Sequence, residues 1–171
     1  MRIYIVGYMA SGKSVVGKDL AERLNYTFVD LDELFEERFR IAILEFFEKY
    51  DEAAFRQIES VLLHETSRYQ NTVIATGGGT PCYFDNMDFI LQQGKSVYLK
   101  MSSENLVKRL RVIRKKRPLL KGLKEDDLEQ YVKSQLAKRE PFYKKALLTV
   151  EGPNYNLEEI LRSLLTASDV Q

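Results

Sequence analysis

An apolar run, Ile3–Val6, leads into Gly7-Tyr8-Met9-Ala10-Ser11-Gly12-Lys13-Ser14, and beyond it Val16, Leu20 and Leu24 recur at four-residue spacing. A short apolar run closed by glycine reads as a buried strand, and the stripe reads as a helix over Lys13–Leu24. The loop between them matches G-x-x-x-x-G-K-[ST] in the strand-to-helix context that motif requires. Its glycines let the backbone curl so that several N–H groups point at phosphate oxygens, and the helix N-terminus adds partial positive charge. Lys13 would reach the β/γ-phosphates, and Ser14 Oγ would ligate Mg²⁺. A glycine turn with a chance lysine is the plain alternative, and it leaves both flanks unexplained. The chain is expected to bind ATP or a close relative. A phosphate loop alone does not separate a kinase from an NTPase switch or a motor.

The alternation continues to the end of the chain. Tyr26–Val29, Thr72–Thr76, Ser96–Lys100 and Leu147–Val150 read as further strands. Glu33 to Arg68 is helix-like with a break near Tyr50-Asp51, and Phe55, Ile58, Leu62 and Leu63 mark one face. Asp85 can cap a helix running to about Gln93, and Ser102 or Ser103 can cap another toward Arg111. Leu128, Val132 and Leu136 mark a helix whose end Pro141 limits, and Asn156 caps a last one containing Ile160, Leu161 and Leu164. The expected fold is α/β: a parallel sheet of about five strands between two layers of helices.

Composition bounds the function classes. With 171 residues, 44% of them hydrophobic, the chain suits one domain with a real core. No repeat or long linker interrupts it, so a second function-bearing region has to be an insertion. Twenty-six Lys+Arg oppose 25 Asp+Glu, a formal charge of +1, which gives no global electrostatic case for nucleic acid or an anionic membrane. Cys82, the single cysteine, makes no intramolecular disulfide and no cysteine-rich zinc site. No apolar run approaches the ~20 residues of a membrane span, and four apolar residues before Gly7 are too few for a signal-peptide core. A soluble, cytoplasmic domain is expected, and nothing demands a second copy.

Asp30 and Asp32 close the second strand. If strand geometry persists through Leu31, both point to one side and face the phosphate loop. They are the best candidates to hold Mg²⁺ water ligands and an acceptor hydroxyl, although Asp32 also suits a helix N-terminus. Gly77-Gly78-Gly79, at the end of the third strand, suggest a backbone laid against a ligand; a mobile loop is the alternative. Arg56 has Glu59 three residues on, a spacing that lets the acid orient the guanidinium. Arg139 follows a helical run just before Glu140-Pro141-Phe142-Tyr143. Either can be a surface arginine; converging, they form a bidentate site for a carboxylate.

The run Lys108, Arg109, Arg111, Arg114, Lys115, Lys116, Arg117 and Lys121 has no interleaved aromatic residue for base stacking. A flap that brings an arginine onto the transferring phosphoryl group fits it better, with Arg117 beside Pro118 as the candidate; a solvated basic face accounts for the rest. His64 reads as a helix-surface or boundary residue, and Cys82 as a small packing residue.

Together these residues resemble shikimate kinase, of the nucleoside-monophosphate-kinase group of phosphate-loop enzymes. Gly17 sits where the continuation G-K-[ST]-x-x-G has glycine, and Phe28-Val29-Asp30-Leu31-Asp32 is similar to F-x-D-x-D. Phe55-Arg56 with Glu59 resembles F-R-x-x-E, and Ala75-Thr76-Gly77-Gly78-Gly79 resembles A-T-G-G-G. Arg117-Pro118-Leu119-Leu120 resembles the R-P-L-L of the lid, and Arg139, Pro141 and Tyr143 resemble R-x-P-x-Y. The chain departs from the family pattern at Ala10, Arg40 and Asp51, where glycine is common.

The resemblance implies a three-layer phosphate-loop kinase fold with a substrate-binding insertion at about 33–62 and a mobile lid at about 112–124. It implies ATP-dependent phosphorylation of the 3-hydroxyl of shikimate, on the route to chorismate and the aromatic amino acids, by a monomer. ATP would lie on Ala10, Ser11, Gly12, Lys13, Ser14 and Val15, with Arg117 closing over it. Mg²⁺ would sit on Ser14 with help from Asp30. Shikimate would be held by Asp32, Arg56, Gly78, Gly79 and Arg139, and Lys13, Asp32 and Arg117 would be the catalytic groups. Arg109 or Arg111 and the Gly152-Pro153-Asn154 turn are candidates for the adenine. The competing readings are a kinase for another small hydroxy-acid such as gluconate, a silent nucleotide-binding regulatory module, and a nucleic-acid binder led by the basic run.

Overall fold

The first strand, β1 (Arg2–Val6), is buried on both faces, as a central strand of a parallel sheet must be. Side chains alternate along a strand, so Ile3 and Ile5 join one apolar cluster with Val16, Leu20, Val73, Val97 and Leu164. Tyr4 and Val6 join another with Leu63, Ile74, Ile90, Tyr98 and Leu106. These clusters are the two cores, one on each face of the sheet. The computed structural model describes residues 1–113 and 127–167.

After β1 come α1 (Lys13–Leu24), β2 (Thr27–Asp30), α2 (Leu31–Phe39), α3 (Ile43–Lys49), α4 (Glu52–Glu65) and β3 (Thr72–Ala75). The chain continues through α5 (Asn86–Gln93), β4 (Lys95–Lys100), α6 (Ser103–Ile113), α7 (Leu128–Tyr143), β5 (Leu148–Glu151) and α8 (Leu157–Thr166). The five strands pair in parallel in the order β2-β3-β1-β4-β5. Ile3 lies opposite Val73 on one side and Lys95 on the other. The expected α/β sandwich is the observed one. No helix among the described residues is long and apolar enough to cross a membrane.

Caps explain several boundaries. Asn156 accepts from the amides of Glu158 and Glu159 at the start of α8, and Asp51 accepts from Ala54 N at 2.8 Å at the start of α4. Lys95 is buried yet satisfied, because its ammonium donates to Leu164 O and Ala167 O at the end of α8.

Two boundaries differ from expectation. The segment from Glu33 to Arg68 holds three α-helices, not two, and the extra break falls at Arg40. That residue takes a left-handed conformation (φ 54°) as the C-cap of α2, with its amide on Glu36 O at 3.0 Å. A third apolar cluster, Phe35, Phe46, Phe55 and Leu62, then fills the angle between these helices. Pro141 does not end α7, which runs on to Tyr143. A proline in the final turn removes only its own amide from the ladder, and Lys144 N still reaches Glu140 O at 2.9 Å.

Arg40 is exposed, so its left-handed backbone carries a cost that no side-chain packing requires. Arg40→Gly is expected to stabilise the fold by up to about 1 kcal/mol after the unfolded-state entropy of glycine is subtracted. A thermal melt should shift upward by about 2–4 °C. A fall in melting temperature would contradict the left-handed C-cap.

Candidate active site

β2, β3 and β1 are neighbours, and their carboxyl ends carry Asp30, the glycine loop from Thr76 to Gly79, and the phosphate loop. Open parallel sheets bind ligands at that edge. Two cavities lie there. One, of about 460 Å³, is lined by Ala10, Gly12, Lys13, Ser14, Val15, Thr76 and Arg109. The other, of about 470 Å³, is lined by Arg56, Glu59, Gly77, Gly78, Gly79 and Arg139, with Ile43, Leu44, Phe47 and Phe55 as an apolar wall. Met9, Ser14, Asp30, Asp32 and Gly78 border both.

The phosphate loop curls through left-handed residues, Ala10 at φ 64° and Gly12 at φ 98°. Ala10 thus keeps the conformation that glycine would take there, at the cost a Cβ imposes. The Lys13 ammonium donates to Gly7 O at 3.0 Å and Tyr8 O at 2.9 Å, so it spans the loop. Arg109 donates to Ala10 O at 3.2 Å and the Tyr155 hydroxyl to Ser11 O at 3.0 Å. These bonds tie α6 and the segment before α8 to the loop.

Asp30 ends β2 by capping α2: its Oδ1 accepts from Asp32 N at 2.9 Å. Strand geometry therefore does not persist through Leu31, and the side-chain alternation expected for the two aspartates does not apply. Asp32 is in the first turn of a helix, where its charge suits the helix N-terminus, and it still borders both cavities. Asp30 Oδ2 accepts from Ser14 Oγ at 2.5 Å. A hydroxyl and a carboxylate oxygen side by side form a hard-oxygen donor pair. That set fits Mg²⁺, which takes one or two protein oxygens and completes its shell with water and phosphate.

The two arginines converge on the second cavity but differ in partners. Arg56, 4% exposed, donates from Nη1 to Glu59 at 2.8 Å, and from Nη2 and Nε to one oxygen of Glu52 at 3.0 and 3.2 Å. Burial opposes its charge, but Glu59 and Glu52 outweigh it and hold the guanidinium pKa above its ordinary value. Glu59 also accepts from the Thr80 hydroxyl at 2.6 Å. Arg139, 6% exposed, lies over the Tyr8 ring at 5.5 Å. Its Nη1 is buried without a hydrogen-bond partner among the described residues, and no acidic residue pairs with it there. A buried donor left open is costly, and this one lines the second cavity, where it can donate to an anion.

The glycine loop is shaped by close approach. A Cβ on Gly78 would lie 2.9 Å from Met9 N, and one on Gly79 would lie 2.5 Å from Arg56 Nη1. Both glycines line the second cavity, and their lack of side chain is also required by the protein's own packing. The Tyr143 hydroxyl donates to Gly78 O and registers α7, with Arg139 one turn earlier, against this loop.

Glu52 and Tyr83, whose ring stands 4.5 Å from the Arg56 guanidinium carbon, were not among the expected site residues. Glu52 had a usable signal, four residues before Arg56; Tyr83 had none. Thr80 likewise carries no local signal of its bond to Glu59. Burial pushes the Cys82 thiol up to about 11, which agrees with a packing role. His64 stacks on Phe89 at 4.1 Å on the outer side of α4. Arg117, and all of the expected lid at 112–124 beyond Val112 and Ile113, lie outside the described residues. Val112 and Ile113 border the phosphate-loop cavity.

The family model described as Shikimate kinase matches residues 9–168. A shikimate kinase of Parabacteroides distasonis is 43% identical over 169 residues, covering 99% of this chain and 92% of that one. The crystal structure of shikimate kinase from Bacteroides thetaiotaomicron superposes with a TM-score of 0.87 at 39% identity, over 98% of this chain and 99% of that one. Shikimate kinase from Acinetobacter baumannii, solved in complex with shikimate, gives a TM-score of 0.86 at 35% identity, over 96% and 90% of the two chains. With its motifs in order along the same sheet and the similarity spanning nearly its full length, the chain belongs to the shikimate kinase family.

Proposed function

We propose that the chain transfers the γ-phosphoryl group of ATP to the 3-hydroxyl of shikimate, giving shikimate 3-phosphate and ADP on the route to chorismate. One observation carries the reading: a phosphate-loop cavity and a cavity with two buried arginines meet at Asp32. The first has the donors a triphosphate needs, and the second has the cations, carboxylates and apolar wall that a cyclic hydroxy-acid needs. The relative solved in complex with shikimate supports the choice of acceptor.

In this reading Ala10 to Val15 wrap the phosphates, and Lys13 moves its ammonium from the loop carbonyls to the β/γ-oxygens. Arg139 and Arg56 grip the shikimate carboxylate, which fixes the ring and turns the 3-hydroxyl toward Asp32. Gly78 and Gly79 admit the acceptor close to the backbone. The Asp32 carboxylate accepts the hydroxyl's hydrogen bond and then its proton as the oxygen bonds to phosphorus and the bond to ADP breaks. Ser14 and Asp30 would hold Mg²⁺, which when bound neutralises charge on the phosphates. Arg117 would close over ATP, as the R-P-L-L resemblance implies, with 112–124 as the lid and 33–62 as the acceptor-binding insertion. The same reading takes the chain as a monomer acting in the cytoplasm.

The direct test is ADP release with Mg²⁺-ATP and shikimate, gluconate, a nucleoside monophosphate or no acceptor. Release with shikimate alone, and a product heavier by one phosphoryl group, is expected. Turnover only with another acceptor would overturn the assignment of the arginines. Asp32→Asn is expected to lower kcat by about 10²-fold or more while ATP binding stays near wild type. Arg139→Ala should raise the KM for shikimate at least about tenfold and leave the KM for ATP unchanged. Unaltered shikimate affinity would remove Arg139 from carboxylate binding.

A further inference from the structure

Tyr83 borders neither cavity, yet it meets Arg56 directly through its ring and indirectly through Glu52. Its ring centroid stands 4.5 Å from the guanidinium carbon, within the range of a cation–π contact. Its hydroxyl donates at 3.0 Å to Glu52 Oε1, the same oxygen that accepts from Arg56 Nη2 and Nε. Glu52 is partly exposed, with a side chain 41% open to solvent, so its carboxylate has room to swing away unless something fixes it. Tyr83 fixes it.

The donor inventory of Arg56 shows what this achieves. A guanidinium has five N–H groups. Glu52 takes one on Nε and one on Nη2, and Glu59 takes one on Nη1. One N–H remains on each terminal nitrogen, the pair with which arginine grips a carboxylate as a fork. The direction of that fork is set by the carboxylates on its other edges and by what covers its faces. The backbone of Gly79 passes close to Nη1, Cζ and Nη2, so a Cβ there would sit 2.5–2.6 Å from them. Tyr83 follows Gly79 by four residues on the segment that leaves the glycine loop, whereas Arg56 and Glu52 belong to α4. It therefore fastens the helix's arginine and Glu52 to the loop, as Thr80 does Glu59.

We propose that Tyr83 is a positioning residue for acceptor binding, holding Arg56 through its ring and through Glu52 at the angle from which Arg56 meets the substrate carboxylate. This rests on the reading of shikimate as acceptor.

The test is steady-state kinetics of wild type, Tyr83→Phe, Tyr83→Leu, Glu52→Ala and the Tyr83→Phe/Glu52→Ala pair, with shikimate varied at saturating ATP. The KM for shikimate should rise about threefold in Tyr83→Phe and about tenfold in Tyr83→Leu. The kcat and the KM for ATP should stay within about twofold of wild type in both. In the double variant the Phe substitution should add nothing to Glu52→Ala, because the hydroxyl acts only through that carboxylate. Variants that lose melting temperature but keep the wild-type KM for shikimate would overturn the proposal. So would a Tyr83→Phe effect that survives in full on the Glu52→Ala background. Wild type that leaves shikimate unphosphorylated would instead remove the acceptor reading, and this proposal with it.

Discussion

Two backbones press together in the site: Met9 N lies 2.9 Å from where a Gly78 side chain would begin. β1 and β3 are adjacent in the sheet, so the loops that leave them are neighbours by topology. Only a glycine lets them touch. From that contact follows the shared border of the two cavities, with Met9, Gly78, Asp32, Asp30 and Ser14 on both. The Tyr143 hydroxyl on Gly78 O then carries the register to α7, and so to Arg139. A phosphoryl donor and its acceptor must meet within about 3–3.5 Å, and this backbone contact lies where the two cavities meet.

Charge is divided between the arginines in a way that fits an anionic acceptor. Arg56 sits between two carboxylates, so it contributes direction more than net charge. Arg139 has no acidic partner among the described residues and keeps a buried donor open. A buried, unpaired cation is destabilising, and aromatic neighbours such as Tyr8 offset only part of that cost. Such a cost is tolerated where binding requires it. The same tolerance is visible at Ala10, which holds φ 64° in the phosphate loop.

Much of this was legible in the sequence. Apolar periodicity located all five strands to within a residue or two, because each buried strand is a short apolar run ended by Gly, Asp or a polar turn. The phosphate loop was legible because its chemistry is local: backbone, lysine and hydroxyl within eight residues. Arg56 with Glu59 was legible for the same reason, as a helical spacing. The break at Arg40 was not legible in the periodicity, since the stretch around it has helical composition; only the glycine common at that place in the family marks a turn there. Asp32 was placed on the right border by an incorrect route, because a capping side chain ended the strand one residue earlier than alternation assumed. Tyr83, Thr80 and the hydroxyl of Tyr143 act across elements, and no local pattern encodes a partner that distant.

The dependence of the whole site on the Met9–Gly78 contact is best measured with Gly78→Ala, by kcat and by thermal melting on the same preparation. A methyl group there must push the phosphate loop and the glycine loop apart by several tenths of an ångström or more. The expected result is a kcat lower by about 10²-fold with a largely retained fold, as for other small misplacements of reacting groups. A folded Gly78→Ala variant with wild-type kcat would contradict the claim that this contact aligns donor and acceptor.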